Sequence, residues 1–145
     1  QGSRIMSYAD NALSEERDGR TVWQMTAAQV NVDIDTNDTS MEKIDGTFYM
    51  EDGRSLTLKA AEGRMDSATR DVVLTGSIEA HTSDGASLRA QELKWTAAEG
   101  SLTAAGDAEL IRDDMRATGD RIVSMDGFQK FSVIGHARIE KGGAQ

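Results

Sequence analysis

The chain has no cysteine and no proline among its 145 residues. Without cysteine there is no disulfide, no thiolate zinc site and no cysteine nucleophile, although many proteins of oxidising compartments lack it too. Aromatic residues are scarce, with two Trp, two Tyr and three Phe. No stretch approaches the roughly 20 apolar residues that a membrane-spanning helix needs. Positive charge is also short: 16 Lys and Arg stand against 25 Asp and Glu, a formal net charge of -9. No cluster of Lys or Arg interrupts that background, and an acidic surface repels phosphate backbones and anionic bilayers, which argues against nucleic-acid binding. The length suits one domain, and no internal linker divides it.

What is present is a repeat. Gly46, Gly76, Gly106 and Gly135 are spaced by 30, 30 and 29 residues, and each opens a short alternating strand followed by an acidic turn. Gly46-Thr-Phe-Tyr-Met-Glu-Asp-Gly53 is answered by Gly76-Ser-Ile-Glu-Ala-His-Thr-Ser-Asp-Gly85 and by Gly106-Asp-Ala-Glu-Leu-Ile-Arg-Asp-Asp-Met115. Strict alternation puts Val72, Leu74, Gly76, Ile78 and Ala80 on one face and Val73, Thr75, Ser77, Glu79 and His81 on the other. A glycine on the apolar face lets a strand bend or a second backbone come close, so the repeat predicts a curved sheet with one bend per unit, and these four glycines are read as structural. No window of 11 or more residues carries helical periodicity with caps, and the fold class expected is all-β.

Along the chain, residues 1–20 are expected to be an N-terminal segment, 21–140 the β domain and 141–145 a frayed tail. Gln1-Gly2-Ser3 resembles a protease-site remnant, so a preceding signal or anchor helix is expected to have been removed. Strands are predicted to begin at Thr21. Trp23 and Met25 face inward, the phase shifts at Ala27-Ala28, and Ala28, Val30, Val32 and Ile34 then face inward. Asp52-Gly53, Asp84-Gly85 and Asp113-Asp114 mark hairpins. The last strand is read with Phe131, Val133, Gly135, Ala137 and Ile139 inward.

Candidate chemistry is thin. Asp33-Ile-Asp35-Thr-Asn37-Asp38 starts like a calcium loop, but such a loop needs Gly at its sixth position and a carboxylate at its twelfth, where this chain has Asp38 and Ile44. His81 and His136, the only imidazoles, fall on polar faces without a carboxylate partner fixed by the sequence. There is no Gly-x-Ser-x-Gly elbow and no Gly-rich phosphate loop. No catalytic residue, metal or cofactor is therefore expected. The informative surface is the inward face itself: Trp23, Met25, Phe48, Met50, Leu56, Leu58, Met65, Leu74, Ile78, Leu88, Leu93, Trp95, Leu102, Leu110, Phe131 and Val133. It is rich in Met and interspersed with Gly and Ala, so it suits either a plain core or a groove for flexible acyl chains, with volume left beside the small residues.

From Trp23 to Ile139 the chain resembles the periplasmic lipopolysaccharide-export proteins of the LptC type, related to the OstA-like LptA and the N-terminal domain of LptD. The resemblance lies in Trp23-Gln-Met25-Thr-Ala27, in Leu58-Lys-Ala60 with Gly63-Arg-Met-Asp66, and in Leu74-Thr-Gly76-Ser-Ile78-Glu-Ala80. It continues through Asp84-Gly-Ala-Ser-Leu88-Arg-Ala90-Gln-Glu-Leu93-Lys-Trp95. The sequence departs from the family's pattern in having Ser77 where Asn often follows the glycine and in showing no N-terminal anchor, which is expected either to have been removed or to mark a soluble LptA-like bridge component.

The resemblance implies a twisted, incompletely closed β-jellyroll in the periplasm, tethered to the inner membrane, that holds the acyl chains of lipid A and passes them along a β-bridge. The lipid-binding residues are then Met25, Phe48, Met50, Leu58, Met65, Leu74, Ile78, Leu88, Leu93, Trp95, Leu102, Phe131 and Val133. It also implies contacts through sheet edges near 21–27 and 131–139, with the periplasmic domains of an ABC transporter and with a bridge protein; self-pairing through the same edges is a further expectation. Burial at about 0.8 kcal/mol per CH₂ offsets the repulsion between acidic protein and anionic lipid, which salt screens over about 8 Å. The competing reading is a structural or adhesive β-repeat with a filled core. A carbohydrate-processing enzyme ranks last, because the acids fall outside.

Overall fold

The computed structural model describes residues 3–9 and 11–142, the first of these stretches by its backbone alone. Gln1 and Gly2 of the expected remnant, and residues 143–145 of the expected tail, lie outside the described residues. Alternating side chains and connections of two to seven residues produce eleven strands among the described residues: β1 Ser3–Ala9, β2 Ala12–Arg17, β3 Arg20–Val32, β4 Thr39–Tyr49, β5 Ser55–Met65, β6 Val72–Thr82, β7 Ala86–Thr96, β8 Ser101–Arg112, β9 Met115–Ser124, β10 Ser132–Ile134 and β11 Arg138–Lys141. No helix occurs among the described residues. All strands pair antiparallel in chain order from β1 to β10, and β11 also pairs with β9. The order ends at two different edges, so this all-β sheet does not close into a barrel.

A corner line crosses the sheet. In β5 the buried set Leu56, Leu58, Ala60 gives way to Gly63 and Met65, and in β7 Leu88 and Ala90 give way to Leu93 and Trp95. Two consecutive residues face outward at each step, so the inward phase slips by one. The alternate strands achieve the same turn with a bulge. Gly76 and Ser77 both have positive φ, 92° and 55°, and together they oppose one residue of β7, because Thr75 pairs with Glu92 while Ile78 pairs with Ala90. Gly106 and Asp107 repeat this with φ of 82° and 51°, between Ala105 opposite Arg121 and Ala108 opposite Gly119. Gly135 and His136 repeat it again, with φ of 81° and 52°, in the gap between β10 and β11. A bulge of this kind sharpens the local twist and bends the strand.

Four expectations are corrected here. Gly76, Gly106 and Gly135 are exposed at the bulges and not on the apolar face; Gly46 alone is buried in a regular ladder, between Met25 and Leu58. Val32 and Ile34 are 57% and 90% exposed, because Val32 is the last rung of its hairpin and Ile34 lies in the turn beyond it. Gly135, Ala137 and Ile139 are exposed as well, since β9 is the only partner of β11 and no strand lies beyond to cover them. Strand structure starts before Thr21, so 21–27 lies inside the sheet between β2 and β4, and the edge on that side is β1.

Candidate lipid-binding interior

The corner folds the inner face onto itself. Phe48, on one side of the corner line, meets Trp95 from the other, with ring centroids 5.4 Å apart and planes inclined by 37°. Offset, tilted packing of this kind suits the ring quadrupoles. Of the sequence-predicted lining, Met25, Phe48, Leu58, Met65, Leu74, Ile78, Leu88, Leu93, Trp95 and Leu102 are buried in one continuous cluster. Met50, Phe131 and Val133 are half-buried against it.

Unfilled volume beside the small residues, expected from the sequence, is not found at the two inward glycines. A Cβ on Gly63 would stand 2.6 Å from Ile44 Cδ1 and 2.8 Å from Leu74 Cδ2, and one on Gly46 would stand 3.3 Å from Met25 Cγ. Long neighbours have moved into the space that the glycines leave, which is how interiors reach native density.

Three participants escaped the sequence reading. Met41 is buried in the cluster, one phase step from Ile44. Glu15 in β2 has a fully buried carboxylate whose Oε1 accepts the indole N–H of Trp23 at 3.0 Å. Its Oε2 has no hydrogen-bond partner and lies 3.8 Å from Arg17 Nη2. Phe128 is the third and the most consequential. It is fully buried, yet it belongs to no strand. The signal for it was an aromatic directly after Asp126-Gly127 in a chain with only three Phe.

Residues 125–130 carry Phe128 across the gap between the two halves of the folded sheet. Arg54, in the β4–β5 turn, donates to Asp126 O, and Arg112 Nη2, at the end of β8, donates to Phe128 O at 2.8 Å. Asp84 faces both guanidinium groups, 3.5 Å from Arg54 Nη1 and 3.1 Å from Arg112 Nη1. The Thr82 hydroxyl first, then Arg112 and Arg54, hold the Asp84 carboxyl below its ordinary 3.8. Burial opposes the charge on Asp126, but the amides of Lys130 and Gln129 and the Ser124 hydroxyl outweigh it, and this carboxyl is also lowered. Beside this segment opens a slot of about 460 Å³ whose lining mixes Val22, Met50, Trp95 and Met125 with Arg20, Arg54 and Glu99. On the opposite side of the wall, a groove of about 410 Å³ crosses the outer face over Gly46 and is lined by Gln24, Asp45, Thr57, Lys59 and His81.

The outer face also carries an ordered row of charge. Asp45 opposes Lys59, Lys59 opposes Glu79, Glu79 opposes Arg89 and Arg89 opposes Glu109 across β4 to β8. Lys59 Nζ reaches Asp45 at 3.1 Å. His81 and His136 are both exposed, as read from the sequence; His81 contacts Ser87 Oγ at 3.2 Å and His136 contacts Asp120 at 3.0 Å. Among the described residues no group of three or more His, Cys, Asp or Glu is arranged to hold a metal ion.

The site is thus an apolar face folded on itself in a sheet whose two edges do not meet. A family described as lipopolysaccharide-assembly, LptC-related, matches residues 3–127. The chain belongs to this LptC-related family. It is a component of lipopolysaccharide transport to the outer membrane. Its fold is similar to that of LptH from Pseudomonas aeruginosa, the LptA homologous periplasmic component of the lipopolysaccharide transport device. That structure superposes with a TM-score of 0.65 at 11% identity, over 85% of this chain and 95% of the other. No curated protein matches the chain in sequence. The fold of this LptC-related protein is thus the incompletely closed β-jellyroll that the resemblance implied, built on the curved all-β sheet expected from the repeat. The family match ends at Gly127, one residue before Phe128.

Proposed function

We propose that the folded inner face is the lipid path: it receives acyl chains of lipopolysaccharide between its two halves and hands them on, without catalysing any reaction. The observation that supports this most directly is the continuity of the buried apolar cluster from β3 to β9, with Met25, Met41 and Met65 along it. Unbranched thioethers re-pack around an irregular guest at little cost in strain. Each acyl methylene buried there contributes about 0.8 kcal/mol, so a chain of ordinary length offsets the net charge of the protein.

The proposed location is the periplasm, with a tether to the inner membrane as the resemblance implies. Partners would extend the sheet at its ends. The backbone of β1 has a single strand neighbour, and so do β10 and β11, which suits strand addition to the ABC transporter's periplasmic domains at one edge and to a jellyroll bridge protein at the other. Ile134 and Ile139, 43% and 59% exposed, lie on the C-terminal edge.

The test is photocrosslinking to lipopolysaccharide from a benzophenone side chain at Leu74, which is fully buried, with its neighbour Thr75 as control. Labelling at Leu74 and not at Thr75 is the expected result. Equal labelling, or none in a folded protein, would mean that the inner face is only core.

A further inference from the structure

The inner side chains are packed against one another, so an acyl chain needs something to leave before it can enter. The structure contains one element built to leave. Segment 125–130 is covered on its inner side by the cluster and makes no strand ladder. Its polar groups are satisfied by its own Asp126 and by the hinge residue Ser124, the last of β9, whose Oγ accepts from Phe128 N at 2.8 Å and donates to Lys130 O at 2.7 Å. Asp126 Oδ1 accepts from Lys130 N at 3.0 Å and Gln129 N at 3.2 Å. Such a segment moves as a unit without leaving orphaned amides, which is the usual obstacle to opening a buried loop.

Beyond the Ser124 hinge, its polar ties to the body come from two arginines. Arg54 and Arg112 grip the carbonyls of Asp126 and Phe128, and Asp84 sets both guanidinium groups in place. Phe128 itself sits at φ 71°, a left-handed conformation that Phe disfavours. The segment therefore stores a reason to move. Directly beside it the slot of about 460 Å³ presents Met50, Met125 and Trp95, and Met125 is 68% exposed. An entrance with Met50, Met125 and Trp95 set among charged residues thus lies beside the segment that carries Phe128.

We propose that Phe128 occupies an acyl-chain site, and that 125–130 is a strap latched by Asp84, Arg54 and Arg112 which withdraws so that a saturated chain enters from the side through the slot. This rests on the lipid-path reading and adds to it the place of entry and the residue displaced. A phenyl ring is a fair stand-in for the end of an acyl chain, being apolar and of similar width. The polar rim of Arg20, Glu99 and Asp126 stays outside with the head of the amphiphile.

The experiment uses the full chain with cis-parinaric acid as fluorescent acyl probe and purified lipopolysaccharide as competitor. Phe128→Ala empties the site and is expected to bind the probe about tenfold more tightly than the parent chain. Asp84→Asn leaves Phe128 in place, loosens the latch and is expected to speed uptake several-fold, and it decides the matter if Phe128→Ala fails to fold. If the parent binds competitively but neither affinity nor uptake rate changes in the variants, the strap proposal is overturned and the lipid path stands. If neither parent nor variant takes up probe or lipopolysaccharide, both readings fall.

Discussion

The carboxylate of Asp71 accepts the backbone N–H of Ala97 at 2.9 Å. Asp38 does the same for Ser67, also at 2.9 Å, so each acidic turn at this end of the sheet caps the next turn in the row. The charge that the sequence places in these turns is thus partly structural. Asp71→Ala is expected to destabilise the fold by about 1–2 kcal/mol, read as a lower urea midpoint, while Asp71→Asn, which keeps the acceptor oxygen, loses less.

Glu15 and Trp23 make the second prediction. Glu15→Ala leaves the Trp23 indole N–H buried and unpaired and should cost about 1–3 kcal/mol. Glu15→Gln keeps an acceptor for the indole and removes a buried charge, so its thermal midpoint should equal or exceed that of the parent. A fall as large as that of the alanine variant would mean that the ion contact with Arg17 is what holds this corner.

The repeat glycines are not equivalent. Gly76 has φ 92° and a Cβ there would meet the Ala61 Cβ at 2.5 Å, so Gly76→Ala should cost more than about 1 kcal/mol. Gly46 has an ordinary φ and a flexible Met25 beside it at 3.3 Å, so Gly46→Ala should be tolerated better. Paired denaturant titrations of the two variants decide this.

Two of the shifted groups act with opposite sign in the pH response. A hydrogen bond to Asp120 raises His136 above its ordinary 6.5. A raised imidazole contributes stability that is complete below 6.5 and is lost as pH rises through the higher folded value. An NMR titration should therefore place His136 above 6.5, and Asp120→Asn should bring it back. Asp84 has the opposite sign: depressed below 3.8, it contributes above that value and lets go as pH falls through the folded one. The latch is expected to hold throughout the neutral range, and the carboxyl resonance of Asp84 should titrate below 3.8. Replacement of Thr82 by Val should move it upward.

The sequence carried the all-β class and the position of most inward residues, because period-two alternation and Asp-Gly turns are local signals. Leu74, Leu88 and Leu93 could be placed that way. What it could not convey was the phase slip at the corner. The glycine spacing located the bends, but that Gly76-Ser77 forms a bulge follows from two residues standing opposite one of β7, and cross-strand register is a long-range property. Phe128 was missed for a similar reason. Its burial depends on Arg54, Arg112 and Asp84, whose meeting is set by the fold of the whole sheet. Val32 and Ile34 continued a legible alternation past the point where a neighbouring strand existed to cover it.

A chain made of near-copies about 30 residues long faces a hazard in folding, since a strand can skip its neighbour and pair with its own near-copy, the next strand but one. The outward row of Asp45, Lys59, Glu79, Arg89 and Glu109 bears on that hazard. Acids stand on β4, β6 and β8 and bases on β5 and β7, so correct neighbours always differ in sign. Two strands of the same parity brought together would set carboxylate against carboxylate or cation against cation. Each contact is exposed and small, yet the row acts as a parity check on assembly, rejecting the swapped partners that the repetition itself would otherwise invite.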